Sequence, residues 1–190
     1  MKIGIIDCGG ANLNSIYYSF KRINIEALIS NSLSELENMD AFILPGVGTA
    51  GVVMKKLKDN NLINLIQETT KPTLGICIGM QILFDYSEED NTNCLGIIEG
   101  VVKKLKPNKD IKVPQMGWNK VITNVDNIGG YYYFANSYYT DNDDYAVGHS
   151  YYGKKINSIV KKDNFLGCQF HPEKSSDIGE KFIKNFINLV

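Results

Sequence analysis

KPTLGICIGMQILF, residues 71–84, runs without a break from a strand through a glycine-flanked cysteine into a helix start. Thr73 to Ile76 is a short apolar run of the kind found in a parallel sheet covered on both faces. Gly79 to Phe84 continues with good helix formers and predicts a helix. Between them, Gly75-Ile76-Cys77-Ile78-Gly79 has the composition of a strand-to-helix turn that presents a nucleophile at the C-terminal edge of the sheet. The flanking glycines permit close backbone approach there. A thiol at a helix N-terminus is placed where negative charge is favoured, and the N–H of Ile78 would face an oxyanion formed beside it. On this motif alone a second reading stands equally, in which Cys77 is a small buried hydrophobe.

The chain of 190 residues fits one domain, 1–190, able to bury roughly 70% of the surface its unfolded form exposes. Twenty Lys and Arg against 21 Asp and Glu give a net charge of −1. That balance gives no footprint for nucleic acid or for an anionic membrane surface. Met1 leads directly into the apolar run Ile3 to Ile6, and no window approaches the roughly 18 apolar residues of a membrane span, so a soluble, cytoplasmic protein is expected. The cysteines at 8, 77, 94 and 168 lack both zinc spacing and the density of a disulfide scaffold. Free thiols are expected, with no metal and no cofactor.

Lys2–Asp7, Asn12–Ile23 and Glu26–Ser30 predict a β-α-β opening, the helix carrying Leu13, Ile16, Phe20 and Ile23 on one face. The loop Asp7 to Asn12 has adjacent glycines but neither G-x-G-x-x-G nor a Walker lysine, so it is read as a structural turn. Ala41–Leu44 is a third strand and runs into Pro45-Gly46-Val47-Gly48. In an open parallel sheet that exit lies on the edge where ligands bind, the edge from which Cys77 also emerges. Val52–Thr70 predicts one or two helices, and the acidic stretch Asp85–Asn93 a solvated loop. From Gly100 to Gly153 short aromatic or β-branched runs at 101–105, 119–123, 131–137 and 145–150 predict hairpins, with the tyrosines as cross-strand packing. Strands at 156–161 and 165–170 and an amphipathic helix over 177–190, with Asp177 and Glu180 at capping-box spacing, complete the chain. The expected fold is α/β: an open, mostly parallel twisted sheet with helices on both faces, plus antiparallel hairpins in the second half.

A thiol nucleophile needs a base, and there are two histidines. His149 has no acid at a spacing that would orient it and is read as a packed or half-exposed strand residue. His171 ends a strand and precedes a proline, which keeps its backbone extended. Residues two apart in an extended segment share a face, so Glu173 is placed to accept from the imidazole and fix its tautomer. By the same parity Cys168, three residues away, faces the other side. The constellation is Cys77 as nucleophile, His171 as base and then acid, and Glu173 as orienter, with amides near Ile78 and the PGVG loop as oxyanion donors. That is acyl transfer through a thioester.

The motifs GICIGMQ at 75–81, HPEKS at 171–175 and PGVG at 45–48 resemble the class I, triad-type glutamine amidotransferases over nearly the whole chain. PGVG followed by P-x-M-G-W-N, here Pro114 to Asn119, is similar to the glutaminase subunits of imidazole glycerol phosphate synthases. The resemblance implies hydrolysis of glutamine to glutamate. It also implies delivery of ammonia to a separate (β/α)₈-barrel cyclase subunit in histidine biosynthesis, the two chains forming a heterodimer. Carried over by motif, Cys77, His171 and Glu173 match the triad. Gly48, Gln81, Glu89, Ser137 and Tyr138 match glutamine-binding positions, Val47 and Ile78 the oxyanion donors, and Trp118 and Lys174 the surface facing the cyclase. The resemblance further implies that the Val47 amide turns into place when the partner engages. Three positions depart from the family pattern: Gln115 and Asn136 stand where histidines are usual, and Cys8 where a tyrosine is. None is in the triad. They leave open a related barrel synthase that amidates a bacterial surface sugar.

Overall fold

The computed structural model describes residues 1–9, 12–46, 48–109 and 111–188. The first half alternates: β1 (Lys2–Ile6), α1 (Leu13–Arg22), β2 (Glu26–Ser30), α2 (Leu33–Leu36), β3 (Ala41–Leu44), α3 (Ala50–Asp59), α4 (Ile63–Glu68), β4 (Thr73–Ile76) and α5 (Ile78–Gln81). The second half is strand-rich, with β5 (Phe84–Ser87), β6 (Thr92–Asn93), β7 (Ile98–Lys104), β8 (Gln115–Thr123), β9 (Gly130–Asn136), β10 (Tyr138–Tyr139), β11 (Ala146–Tyr151), β12 (Lys155–Lys162) and β13 (Phe165–Cys168). Helix α6 (Ser176–Ile187) follows.

Nine strands form one sheet in the order β2-β1-β3-β4-β13-β12-β11-β8-β9. The five from β2 to β13 pair in parallel, and the remaining pairings are antiparallel. Every residue of β3, β4 and β13 is buried, as expected of parallel strands covered on both faces. Helices α1 and α6 each bury one stripe, Leu13, Ile16 and Phe20 on the first and Phe182, Ile183 and Phe186 on the last. A second, four-stranded sheet has the order β10-β7-β5-β6.

Four expectations need correction. The helix after Cys77 is a single turn ending at Gln81, and Phe84 already begins β5. Ile82, Leu83 and Phe84 are all fully buried, so the run has no polar face to turn outward, and its carbonyls accept from Leu95, Gly96, Ile97 and Ile98 instead of continuing a helix. The run at 101–105 falls, up to Lys104, within β7, which pairs in parallel with β5 and antiparallel with β10 rather than forming a hairpin. The acidic stretch is not a solvated loop: its ends join β5 and β6, Asp85 and Glu88 accept from the Gly100 and Lys104 N–H groups of β7, and Glu89 and Asp90 accept from the Ala50 N–H and the Thr49 hydroxyl. The last two donors lie at the N-terminus of α3, where unpaired N–H groups and the helix dipole attract carboxylates. Finally, α6 begins at Ser176, and its N-cap residue is Ser175 rather than Asp177.

Strand β9, last in the sheet order, bends back to the middle of the sheet. Its Tyr133 carbonyl accepts from the His171 N–H at 2.8 Å, and its Tyr133 N–H donates to the Ser175 hydroxyl at 2.9 Å. Alternation along β9 points Tyr132 and Phe134 inward, where Tyr132 stacks on Phe170 at 3.9 Å and both rings contact Phe182. This aromatic cluster holds the edge strand over the ends of β4 and β13.

The elbow between β4 and α5 has no spare volume. A Cβ on Gly79 would lie 1.9 Å from the Leu44 carbonyl oxygen of β3, a backbone atom that cannot swing aside. Gly79→Ala is therefore expected to cost about 1–3 kcal/mol. A thermal melt should show Tm lower by about 2–10 °C, and an unchanged Tm would contradict this packing.

Candidate active site

Cys77 has φ 54° and ψ −108°, a conformation side-chain-bearing residues rarely adopt. Its N–H donates to the Cys168 carbonyl at 2.7 Å, tying the turn to β13, and Gly46 packs against it so closely that a Cβ there would lie 2.6 Å from the Cys77 Cβ. The turn is thus gripped from both neighbouring strands. Ile78 takes the first position of α5, whose N–H has no acceptor within the turn. With only four residues in α5, the electrostatic help comes from such local amides rather than from a long helix dipole.

His171 Nδ1 and Glu173 Oε1 are 2.8 Å apart, and because a carboxylate only accepts, Nδ1 is the donor. The other ring nitrogen is left for Cys77, whose interaction with the imidazole favours the charged ring. The pair predicted from strand parity is present, but the geometry differs. The strand ends at Cys168, His171 is extended at φ −102°, and Pro172–Lys174 form a 3₁₀ turn that swings Glu173 back under the ring. Asn12 Nδ2 also donates to Glu173 Oε1, at 2.7 Å, fixing the carboxylate. The Ser175 hydroxyl donates to the His171 carbonyl at 2.6 Å, so the serine at the head of α6 braces this segment against β9.

A cavity of about 200 Å³ opens beside Cys77. Its walls include His171 and all five residues expected to hold glutamine: Gly48, Gln81, Glu89, Ser137 and Tyr138. Ile78 lines it too, while Glu173 stands behind the imidazole. Val47, expected as an oxyanion donor, lies outside the described residues. Burial raises the Glu89 carboxyl above its ordinary value, partly offset by the Ala50 N–H, with Asp90 adding to the rise.

The parity argument about Cys168 agrees with the structure: its side chain is fully buried, and its sulfur turns to the Phe170 carbonyl. Burial pushes that thiol well above its usual range, with the charges of Glu173 and Cys77 adding to the effect. A thiol so held is inert. His149 is half-buried on β11 and packs edge-on against Tyr151, as expected of a strand histidine.

Trp118 is 55% exposed on β8, beside the 65% exposed Met116, and Lys174 is exposed next to Glu173. Trp118 lies opposite Tyr133 and Met116 opposite Ala135 in the β8–β9 ladder. Those two residues of β9 offer their carbonyls to His171 N–H and to the Cys77 thiol. An exposed apolar patch is therefore one strand away from the reacting groups. Gln115 and Asn136, two of the departures from the family pattern, prove to be partners in the same ladder. Both are buried, and among the described residues each leaves its side-chain carbonyl oxygen without a hydrogen bond.

Sequence reasoning missed Gln169, whose Nε2 donates to the Cys77 sulfur at 3.6 Å. The signal was available, because Gln169 is two residues from His171 and so shares its face, by the rule that set Cys168 aside. Asn12 carried no such signal, since its contact with Glu173 spans 161 residues.

The model of the family "Glutamine amidotransferase class-I" matches residues 4–189. The chain is 46% identical over 191 residues to "Imidazole glycerol phosphate synthase subunit HisH 2" of Campylobacter jejuni strain RM1221, covering 98% of both chains. It is 41% identical over 194 residues to the protein of the same name from Legionella pneumophila strain Paris, again covering 98% of both. Among solved structures, a putative GMP synthase component from Thermoplasma acidophilum superposes with a TM-score of 0.75 at 23% identity, covering 100% of this chain and 93% of that one. At that identity the likeness is one of fold.

Burial opposes the charged form of His171, but its hydrogen bonds to Cys77 and Glu173, and the negative charge they carry, outweigh burial and raise the imidazole from 6.5 to about 10. The proton belongs to the coupled pair rather than to one residue. Since the folded value exceeds the unfolded one, this contribution to stability is complete below about pH 6.5 and is lost as pH rises through about 10. NMR of ring-labelled histidine should show His171 still protonated at about pH 8, and Cys77→Ala should move its titration downward. Titration at an unperturbed value in the native chain would contradict the pairing.

Proposed function

This chain belongs to the class I glutamine amidotransferase family, and from that membership we propose that it is the glutaminase subunit of an imidazole glycerol phosphate synthase. The observation that carries the reading is the convergence of Cys77, His171, Gln81, Glu89, Ser137 and Tyr138 on one cavity of about 200 Å³. The names of the full-length relatives support the pathway.

In this reading glutamine enters with its side-chain amide toward Cys77 and its amino-acid head toward Glu89. Besides His171, Glu89 is the one charged side chain lining the cavity among the described residues, and it attracts the α-ammonium group. The Cys77 sulfur attacks the amide carbon, and the carbonyl electrons move to an oxyanion that accepts from the Ile78 N–H. The C–N bond then breaks as His171 delivers its proton to the nitrogen, releasing ammonia and leaving a γ-glutamyl thioester. Water, losing a proton to His171, cleaves the thioester to glutamate. Glu173, held by Asn12, keeps the imidazole oriented through both halves.

Released ammonia is protonated in neutral water and is then no nucleophile, so a closed route to the acceptor site is required. The proposed partner is a (β/α)₈-barrel cyclase docked over Met116, Trp118 and Lys174. Strand β9 then lies between the partner's footprint on β8 and the carbonyls that contact His171 and Cys77. Docking is proposed to complete the oxyanion site through the loop at 45–48, a change worth about 10²- to 10³-fold in rate for one donor. No helix among the described residues is long and apolar enough to cross a membrane, in keeping with a proposed cytoplasmic location.

Cys77→Ala should abolish glutamate release, whereas Cys168→Ala retains most of it; equal loss in both would reject the assignment. Glu89→Gln should raise KM for glutamine by roughly tenfold with little change in kcat, the pattern of a lost binding contact. Addition of the cyclase with its ligand should raise glutaminase activity at least about 10²-fold, and Trp118→Ala should lose that stimulation. Full activity of the lone chain would refute the gating. Ring closure on the imidazole glycerol phosphate precursor is the expected outcome of the complete assay, and amidation of a sugar in its place would overturn the pathway.

A further inference from the structure

Two side-chain amides, those of Gln81 and Gln169, make a chain whose direction is fixed by its far end. Gln81 Nε2 lies 3.2 Å from the Tyr138 carbonyl, an atom that only accepts, so the nitrogen of Gln81 must be on that side. The same nitrogen lies 2.9 Å from Gln169, which must therefore present its oxygen. With its oxygen so committed, Gln169 turns its N–H toward the Cys77 sulfur, 3.6 Å away. The backbone of Tyr138 thus dictates that Gln169 meets the thiol with its donor and not with its acceptor. Gln169 is fully buried and Gln81 nearly so, which leaves neither amide free to turn in solvent.

Two consequences follow from counting donors and acceptors. Both N–H groups of Gln81 are spent inside the protein, so toward the cavity it offers only its carbonyl oxygen. It can receive a substrate N–H and cannot donate to a carboxylate. The sulfur, in turn, is approached by the Gln169 amide and the His171 ring, and on the β9 side by the Ala135 carbonyl at 3.8 Å. The neutral thiol can donate to that carbonyl, while a thiolate gains from the amide and the protonated ring.

We propose that Gln169 is a catalytic residue for the glutaminase reaction, donating to the Cys77 thiolate and holding the sulfur in register with the acceptor face of Gln81. The acceptor that Gln81 turns to the cavity and the atom that attacks the amide are then linked through one buried carboxamide. For its role in turnover the proposal rests on the glutaminase reading. The ionisable groups around the sulfur are His171 beside it, Glu173 behind that ring, the buried Cys168 thiol on β13 and Glu89 across the cavity.

The test reads the thiol without glutamine. Alkylation of Cys77 by iodoacetamide is followed by peptide mass spectrometry from about pH 5 to about pH 9, in the intact chain and in Gln169→Met and Gln169→Glu. Gln169→Met removes the donor at similar volume. It should slow alkylation at neutral pH about tenfold or more and move the midpoint of the profile upward. Gln169→Glu keeps the bond from Gln81 but sets a carboxylate oxygen against the sulfur, and should move the midpoint further still. A merely structural glutamine would leave rate and midpoint unchanged in whichever variant retains the native Tm, and that result overturns the proposal. Should one variant fail to fold, the other decides. A chain that does not hydrolyse glutamine yet keeps the Gln169-dependent profile would overturn the glutaminase reading, and with it the role in turnover, while the donation from Gln169 to the Cys77 sulfur would stand.

Discussion

The backbone of Cys77, held at φ 54° between two parallel strands, is the constraint on which the rest of the site depends. Such a conformation costs on the order of 1–3 kcal/mol and persists only where its surroundings over-determine it. Here the surroundings are steric. The Cys168 carbonyl takes the Cys77 N–H, Gly46 presses on the turn from the β3 side, and Gly79 lies against the Leu44 carbonyl. Each contact requires the sheet order β3-β4-β13, so the position of Cys77 is a property of the parallel core. Chain pairing across nearly a hundred residues brings β13 beside β4, and with it come Gln169, His171 and Glu173. The cost of the strained turn is spread over contacts that the buried core makes in any case.

A second constraint closes the other side. The antiparallel half of the sheet brings β9 back over the reacting groups, and the ring cluster of Tyr132, Phe134, Phe170 and Phe182 holds it there. One strand consequently serves three purposes. Its inward side chains are core, its carbonyls at Tyr133 and Ala135 meet His171 and Cys77, and its other edge carries β8 with Trp118. Pressure on β8 from outside has a path of one backbone to the chemistry.

Much of this was legible in the sequence, for reasons that differ by residue. Thr73 to Ile76 is a short run without charge, and Gly75 and Gly79 bracket a cysteine, so the strand, the elbow and the place of Cys77 on it could be read locally. His171 and Glu173 were paired correctly, although the contact comes from a 3₁₀ turn rather than from an extended strand. The helix after Cys77 was read too long, because good helix formers with no polar face are also good buried strand. Glu89 and Asp90 were read as solvated because the N-terminus of α3 that receives them lies some forty residues earlier in the chain. What could not be read was long-range register. That Gln115 stands opposite Asn136, or that Asn12 reaches Glu173, depends on how distant strands align. Gln169 lies between these cases, since parity with His171 pointed to it, while its bond to Gln81 needed the fold.

The central claim is that the sulfur of Cys77, and no other thiol, carries the glutamyl group. Acid quenching during turnover of glutamine, followed by peptide mass spectrometry, measures this directly, because a thioester survives at low pH. The account predicts a γ-glutamyl adduct on the peptide containing Cys77, lost on raising the pH and absent in Cys77→Ala. An adduct on the peptides of Cys8, Cys94 or Cys168, or glutamate release with no adduct on any cysteine under conditions where the thioester accumulates, would contradict it.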